Sequence, residues 1–335
     1  MRMHLRLRSW FLLSALLAAC QAPEAPDSTV LDLARIAQDY PRVDGSTSAY
    51  PLQVLIACKM LQVPCAWTDF DGGNWLRFVQ PQGTSAETPS AAEEKILGLV
   101  HTGTHDAYVN LIQGEADVIL VARLPSHDEL VGARMAGVRL EARPIALDAL
   151  VFLVNEVNGV ESIGLRELRA IYAGELTSWP QLEDCRGVEK CPQAAIRAYR
   201  RNANSGSEEL IEKLVMQGTP MAEASQERML TSMILPIEVI GGGPAVAGDV
   251  NGIAFSVYYY ATFMAPSPGV KFVAVDGVTP TSASIADGSY PLAAEVYAVI
   301  RQGMPAGSTA VMLRDWLVTP QGKALIAESG YVPLR

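Results

Sequence analysis

The chain is 335 residues long, with 26 basic and 36 acidic side chains, a formal charge of −10 and 49% hydrophobic residues. That acidity excludes recognition of a nucleic-acid backbone, which needs a basic stripe, and any anion must be held by local dipoles rather than drawn in by net charge. The length suits one large core or two smaller ones.

Residues 1–20 read as a lipoprotein signal peptide. Arg2, Arg6 and Arg8 make a positive start, residues 10–17 form an apolar core too short for a stable membrane span, and Leu17-Ala18-Ala19-Cys20 is a small-residue cleavage site ending in cysteine. Those four residues resemble a bacterial lipobox, which implies a lipid on Cys20 and an anchor on the periplasmic side of the cell envelope, at the inner or outer membrane. Removing residues 1–19 takes away three of the 26 basic residues and none of the 36 acidic ones, leaving a formal charge of −13. Residues 21–28 (QAPEAPDS) form a Pro/Ala tether with nothing to bury.

Beyond the tether, short apolar runs alternate with amphipathic stretches, which predicts an α/β protein. Strands are expected at 117–122, 149–154, 196–200, 252–256, 270–275 and 295–300, apolar enough to be covered on both faces. Helices are expected at 51–61, at 108–113 with a stop at Gly114, at 164–172, 207–217 and 309–317, and in a last stretch that breaks at Gly330 and Pro333. After Cys20 the remaining cysteines fall into two local pairs, Cys58 with Cys65 and Cys185 with Cys191. In an oxidising compartment they read as two small-loop disulfides. His101 and His105, beside Asp106, lack an obvious third ligand, so no metal or other cofactor is expected.

The stretch 199–215 (YRRNANSGSEELIEKLV) sets two arginines and a hydroxyl-rich turn before a helix. Ser205 and Glu208 fit a capping box, yet the same amides at the positive end of a helix, with an arginine upstream, also fit an anion site. Two more turns have this character: Gly45-Ser46-Thr47-Ser48 before a helix with Pro51 in its first turn, and Thr102-Gly103-Thr104 before another. If the three converge, glycine lets the backbone approach a small tetrahedral oxyanion and each hydroxyl donates to it without adding charge. Ordinary caps account for the same three turns equally well.

The runs DGSTSAYPL, TGTHDAYVNLIQGEADVILVARLPSHDE, PIALDALVFLVN, LRAIYAGELTSWPQL, YRRNANSGSEEL and NGIAFSVYYYA, in that order, resemble the phosphate-binding subunit of bacterial phosphate ABC importers from about residue 40 to the end. The resemblance implies a two-lobed periplasmic-binding-protein clamp of type II, with crossover strands near 144–148 and 278–290. Lobe 1 would comprise 29–147 plus 283–335, and lobe 2 would comprise 148–282. It implies a monomeric, non-enzymatic protein that captures phosphate or a related oxyanion between the lobes and serves an ABC permease. Its ligand residues would be Thr47, Ser48, Thr104, Arg201, Ser205, Gly206 and Ser207.

The sequence departs from the family at Val121-Ala122-Arg123, where small hydroxyl residues, and in some members a proton-accepting aspartate, are usual. Arg123 would add positive charge beside the ligand or else face away in an ion pair, and Asp106 or Asp44 would be the substitute proton acceptor. Arg200 falls on the opposite side of its strand from Arg201 and reads as structural or rim. Glu208 and Glu209 compete with an anion for the helix dipole. A sensor or scaffold lipoprotein without a transport role is the alternative. An enzymatic reading lacks a Gly-x-Ser-x-Gly elbow, a metal cluster and a histidine base, since His127 sits in a polar turn.

Overall fold

The computed structural model describes residues 28–70, 75–83, 88–243 and 246–335, so the expected signal peptide, Cys20 and the tether up to Asp27 lie outside the described residues. One strand, Leu140–Asn155, organises the molecule. Its first half, residues 140–149, pairs antiparallel with Ala293–Arg301, and from Leu150 onward it pairs with Gly252–Val257 and then with Val270–Phe272. Strands Val43–Gly45 and Val118–Val121 extend one end of the sheet and Arg197–Ala198 the other, with parallel pairs at both ends of an otherwise antiparallel order. The result is a mixed α/β structure of two lobes that share this strand.

The exchange of partners between Ala149 and Leu150 lies just beyond the expected first crossover at 144–148. The chain returns near Tyr290, whose hydroxyl donates to the Leu150 carbonyl, while the Leu150 amide donates to the Leu292 carbonyl. Asp148 sits at this junction: its Oδ1 accepts from the amides of Ala149 and Tyr259, and its Oδ2 is buried without a partner among the described residues. Burial pushes its carboxyl up to about 7.

The first half of the long strand is hard to read because LEARPIAL mixes charge, proline and apolar residues. Pro144 is tolerated because the ladder shifts register between Val296 and Tyr297, where it pairs, so its missing N–H falls at an irregularity. The helix expected from 108 in fact spans Thr104–Gln113, because Gly103, at φ 96°, opens it directly; Gly114 closes it as expected. The expected helix 207–217 is α over Gly206–Ile211 and continues as a π turn over Glu212–Met216. Unanticipated elements include the helix His127–Met135 and the hairpin of Cys65–Asp69 with Arg77–Pro81.

Both cysteine pairs are bonded as expected. Cys58–Cys65 ties the helix Tyr50–Leu61 to the hairpin, and Cys185–Cys191 closes a small loop. The core of the second lobe is centred on Phe152, Tyr172 and Phe255, whose rings lie 5.7–6.3 Å apart. Burying each contributes roughly 1.5–3 kcal/mol. No described helix is long and apolar enough to cross a membrane.

Candidate functional site

The first turn starts where strand Val43–Gly45 ends. A Cβ on Gly45 would lie 2.1 Å from the Leu120 carbonyl oxygen, so only glycine lets the turn sit this close to the neighbouring strand. A short 3-10 turn, Thr47–Ala49, then leads into the helix Tyr50–Leu61, and neither start carries a side-chain cap. The Ala49 amide donates to the Ser46 carbonyl, the Tyr50 amide donates to the Thr47 carbonyl and Pro51 has no N–H, which among the described residues leaves the amides of Thr47 and Ser48 for another acceptor. Ser46 and Ser48, both buried, share a hydrogen bond of 3.3 Å between their hydroxyls.

The second turn packs beside the first. The Gly103 amide donates to the Gly45 carbonyl, and Gly103 opens the helix Thr104–Gln113 without a side-chain cap. Asp44 fastens the two together by accepting from the amides of Gly45 and Thr102, the Thr102 hydroxyl and Asn110 Nδ2. The third turn follows the strand Arg200–Arg201. Asn204, at φ 64°, swings the chain into Ser205, whose Oγ accepts from the Glu208 amide at 3.3 Å and keeps its own proton for another partner. Ser207 is 2% exposed and its hydroxyl has no partner among the described residues. A Cβ added to Gly206 would come 2.8 Å from Thr104 Oγ1, so the second and third turns meet face to face across the lobes.

All three turns line one cleft of about 580 Å³. Thr47, Ser48, Thr104, Arg201, Ser205, Gly206, Ser207 and Asp106 share its wall, so the convergence that spacing alone left open is present. Arg201 is 5% exposed; its Nε donates to the Leu230 carbonyl and its Nη1 lies 3.0 Å from Met233 Sδ. Among the described residues no carboxylate comes within ion-pairing distance of it. Burial pulls the guanidinium down to about 10, which still leaves it charged at neutral pH. A buried cation without a counterion is costly, and an anion in the cleft relieves that cost.

Four expectations change. Arg123 does not line the cleft: its guanidinium faces away and makes a two-pronged ion pair with Glu129, so its charge is already neutralised. Asp44 is no proton acceptor for a ligand, because its oxygens are spent on the four donors that brace the first two turns. The reciprocal capping box is only half present. The Ser205 side chain caps as expected, but Glu208 turns back to accept from the Arg200 side chain and the Arg201 amide. It therefore does not face the cleft and does not compete for the helix dipole there; burial pushes it up to about 7 against the pull of Arg200. Arg200 is structural, as its strand side implied. Asp106 remains on the cleft wall but is exposed, so no buried carboxylate lines the cleft among the described residues.

Other wall residues gave little signal in the sequence. Ser46 and Asn202 sit within the quoted turns, while Tyr50, Phe78, His101, Met233 and Tyr260 form an apolar and aromatic side. His101 packs on Tyr50 at 4.3 Å, and partial desolvation of its ring, opposed by the Asp44 charge, lowers its imidazole from its ordinary value although the residue is exposed overall. His105 instead reaches Glu129, and among the described residues no three His, Cys, Asp or Glu side chains group as metal ligands. Of the tyrosine run, Tyr259 stacks on Tyr331 at 3.7 Å, and the Tyr331 hydroxyl donates to the Ser48 carbonyl, propping the first turn from behind.

A profile of the PBP superfamily domain matches residues 86–321. The chain belongs to the PBP superfamily. Among its relatives, this superfamily member is 24% identical over 245 residues to protein SphX of Synechococcus elongatus, covering 70% of this chain and 67% of SphX. It is 26% identical over 191 residues to the phosphate-binding protein PstS of Bacillus subtilis, covering 57% of this chain and 56% of PstS, little more than half the length of that relative. An ABC-type phosphate transport receptor from Vibrio cholerae shares the fold with a TM-score of 0.56 at 21% identity, over 87% of this chain and 98% of the receptor.

Proposed function

We propose that this protein is a lipid-anchored, monomeric solute-binding protein that captures phosphate or a similar oxyanion between its lobes and delivers it to an ABC permease. The lobes would correspond to 29–147 with 283–335 and to 148–282. The observation that carries this reading is Arg201, a buried cation with no carboxylate in ion-pairing reach among the described residues, set against three helix beginnings that turn donors into the same cleft, the Ser207 hydroxyl and the Ser205 proton among them. Thr47, Ser48, Thr104, Ser205, Gly206 and Ser207 would supply neutral donors and Arg201 the charge, with closure of the lobes and no covalent step. The names of the relatives PstS and the Vibrio receptor support phosphate as the first ligand to test.

Isothermal titration with phosphate, arsenate and sulfate tests the proposal. Saturable heat with phosphate is expected, and Arg201→Ala should cost about 1.5–3 kcal/mol, the worth of a charge-assisted hydrogen bond. Because among the described residues no buried carboxylate lines the cleft to receive the proton of hydrogen phosphate, sulfate should bind within about tenfold of phosphate, a gap of about 1.4 kcal/mol. Silence with all three anions would refute the reading, as would Ser205-dependent turnover of p-nitrophenyl phosphate. Gln21, a residue other than Asp after Cys20, resembles the outer-membrane sorting pattern of Gram-negative lipoproteins, which would favour a sensor or scaffold role. Fractionation of the membranes, with mass measurement of the lipidated terminus, separates that role from import.

A further inference from the structure

Arg123 departs from the family pattern, and its surroundings give it a different task. It follows strand Val118–Val121 in the first lobe, is 5% exposed, and is held from several sides. Its Nη1 and Nη2 each donate to Glu129 at 2.8 Å, and Nη1 also donates to the Leu124 carbonyl. The Tyr108 ring lies 5.6 Å from its Cζ, and the Tyr108 hydroxyl donates to its carbonyl. Glu129 is fixed in turn, accepting from the Ser126 amide and meeting His105 Nδ1 at 3.0 Å. From this anchored position Nη2 reaches over to the second lobe and donates to the Asn204 carbonyl at 3.1 Å.

Asn204 is the residue whose left-handed backbone turns the chain into Ser205-Gly206-Ser207. Its carbonyl is thus one bond from the third turn of the cradle, and Asn204 itself lines the cleft while Arg123 does not. The same two lobes touch a second time where Gly206 meets Thr104. We infer that Arg123 is a latch between the lobes, a positioning residue that docks residues 204–207 onto the first lobe and slows release of whatever the cleft holds. A charged fork suits this, since one arm can stay on Glu129 while the other takes a carbonyl. The ligand arm of this inference rests on the proposed anion-binding reading; the latch itself does not.

The test uses Arg123→Met combined with Glu129→Gln, which removes the donor without stranding a buried carboxylate and keeps an acceptor for the Ser126 amide. Glu129→Gln alone keeps the donor. Arg123→Lys keeps a charge for Glu129 but loses the fork, and serves should the double variant fold poorly. Small-angle scattering of the ligand-free chain and stopped-flow release of phosphate are measured on each. The double variant should have a larger radius of gyration than the wild type and release phosphate about tenfold faster at an unchanged association rate, while Glu129→Gln stays compact and Arg123→Lys moves the same way by less. An unchanged radius with release within twofold of wild type would overturn the latch. So would slower association in the double variant together with tighter binding in Glu129→Gln, because Arg123 would then be serving the anion directly. If the wild type takes up no phosphate, the import reading fails, and the scattering comparison still decides the latch.

Discussion

Two arginines, each 5% exposed, lie next to the third turn of the cleft and have opposite electrostatic surroundings. Arg123 is matched by Glu129 through both nitrogens; Arg201 has a carbonyl, a thioether and an open cleft. In the first case the cost of burying a cation is offset inside the protein, and in the second it is left for something else to offset. The pair teaches that burial alone does not mark a functional arginine. What marks Arg201 is burial with no carboxylate among the described residues in ion-pairing reach of its guanidinium, which faces the donors of the cleft.

The contrast is broken most severely by Arg123→Ala. That change strands the Glu129 carboxylate, whose side chain is fully buried, and should cost about 3–5 kcal/mol of folding stability in a denaturant titration. Gly206→Ala comes next: its new Cβ presses on Thr104 Oγ1 and must push the turns apart, so phosphate affinity should fall about tenfold, or about 1.4 kcal/mol, with the fold intact by circular dichroism. Asp148 sharpens the comparison as a buried charge without a cationic partner. Its folded value, raised to about 7 by burial, lies above the ordinary carboxylate value near 4, so its contribution to stability is full below about pH 4 and is lost as pH rises through about 7. The unfolding free energy should therefore fall between pH 5 and pH 8, by an amount on the order of 1 kcal/mol or more, and Asp148→Asn should reduce that slope and leave the share of Glu208, which burial also raises to about 7. The smallest effect on folding belongs to Ser205→Ala, which loses the cap on the Glu208 amide, about 0.5–1 kcal/mol, and should show a separate loss in anion affinity.

Much of the cleft was legible because its parts are local. Glycine and hydroxyl runs open helices wherever they occur, and Gly45, Gly103 and Gly206 are each needed where a turn or a close approach leaves no room for a side chain or demands positive φ. The strands buried on both faces, such as Gly252–Val257, were equally plain. The direction of a charged side chain was not legible, because it depends on partners that the sequence does not align. Arg123 turns away from the cleft because Glu129 begins the next helix, and Asp44 is consumed because Thr102 and Asn110 fold onto it from far along the chain. The first half of Leu140–Asn155 was missed for a similar reason: its ladder is set by Ala293–Arg301, not by its own mixed composition.

Anion capture depends most on Arg201 being a cation kept for a ligand. Titration of phosphate into the wild type and into Arg201→Met, with unfolding midpoints of both ligand-free proteins, tests this directly. Saturable one-to-one heat in the wild type, at least tenfold weaker binding in the variant, and a ligand-free stability equal to or above that of the wild type are predicted. Equal affinity in the two proteins, or a variant that loses binding only because it no longer folds, would contradict it.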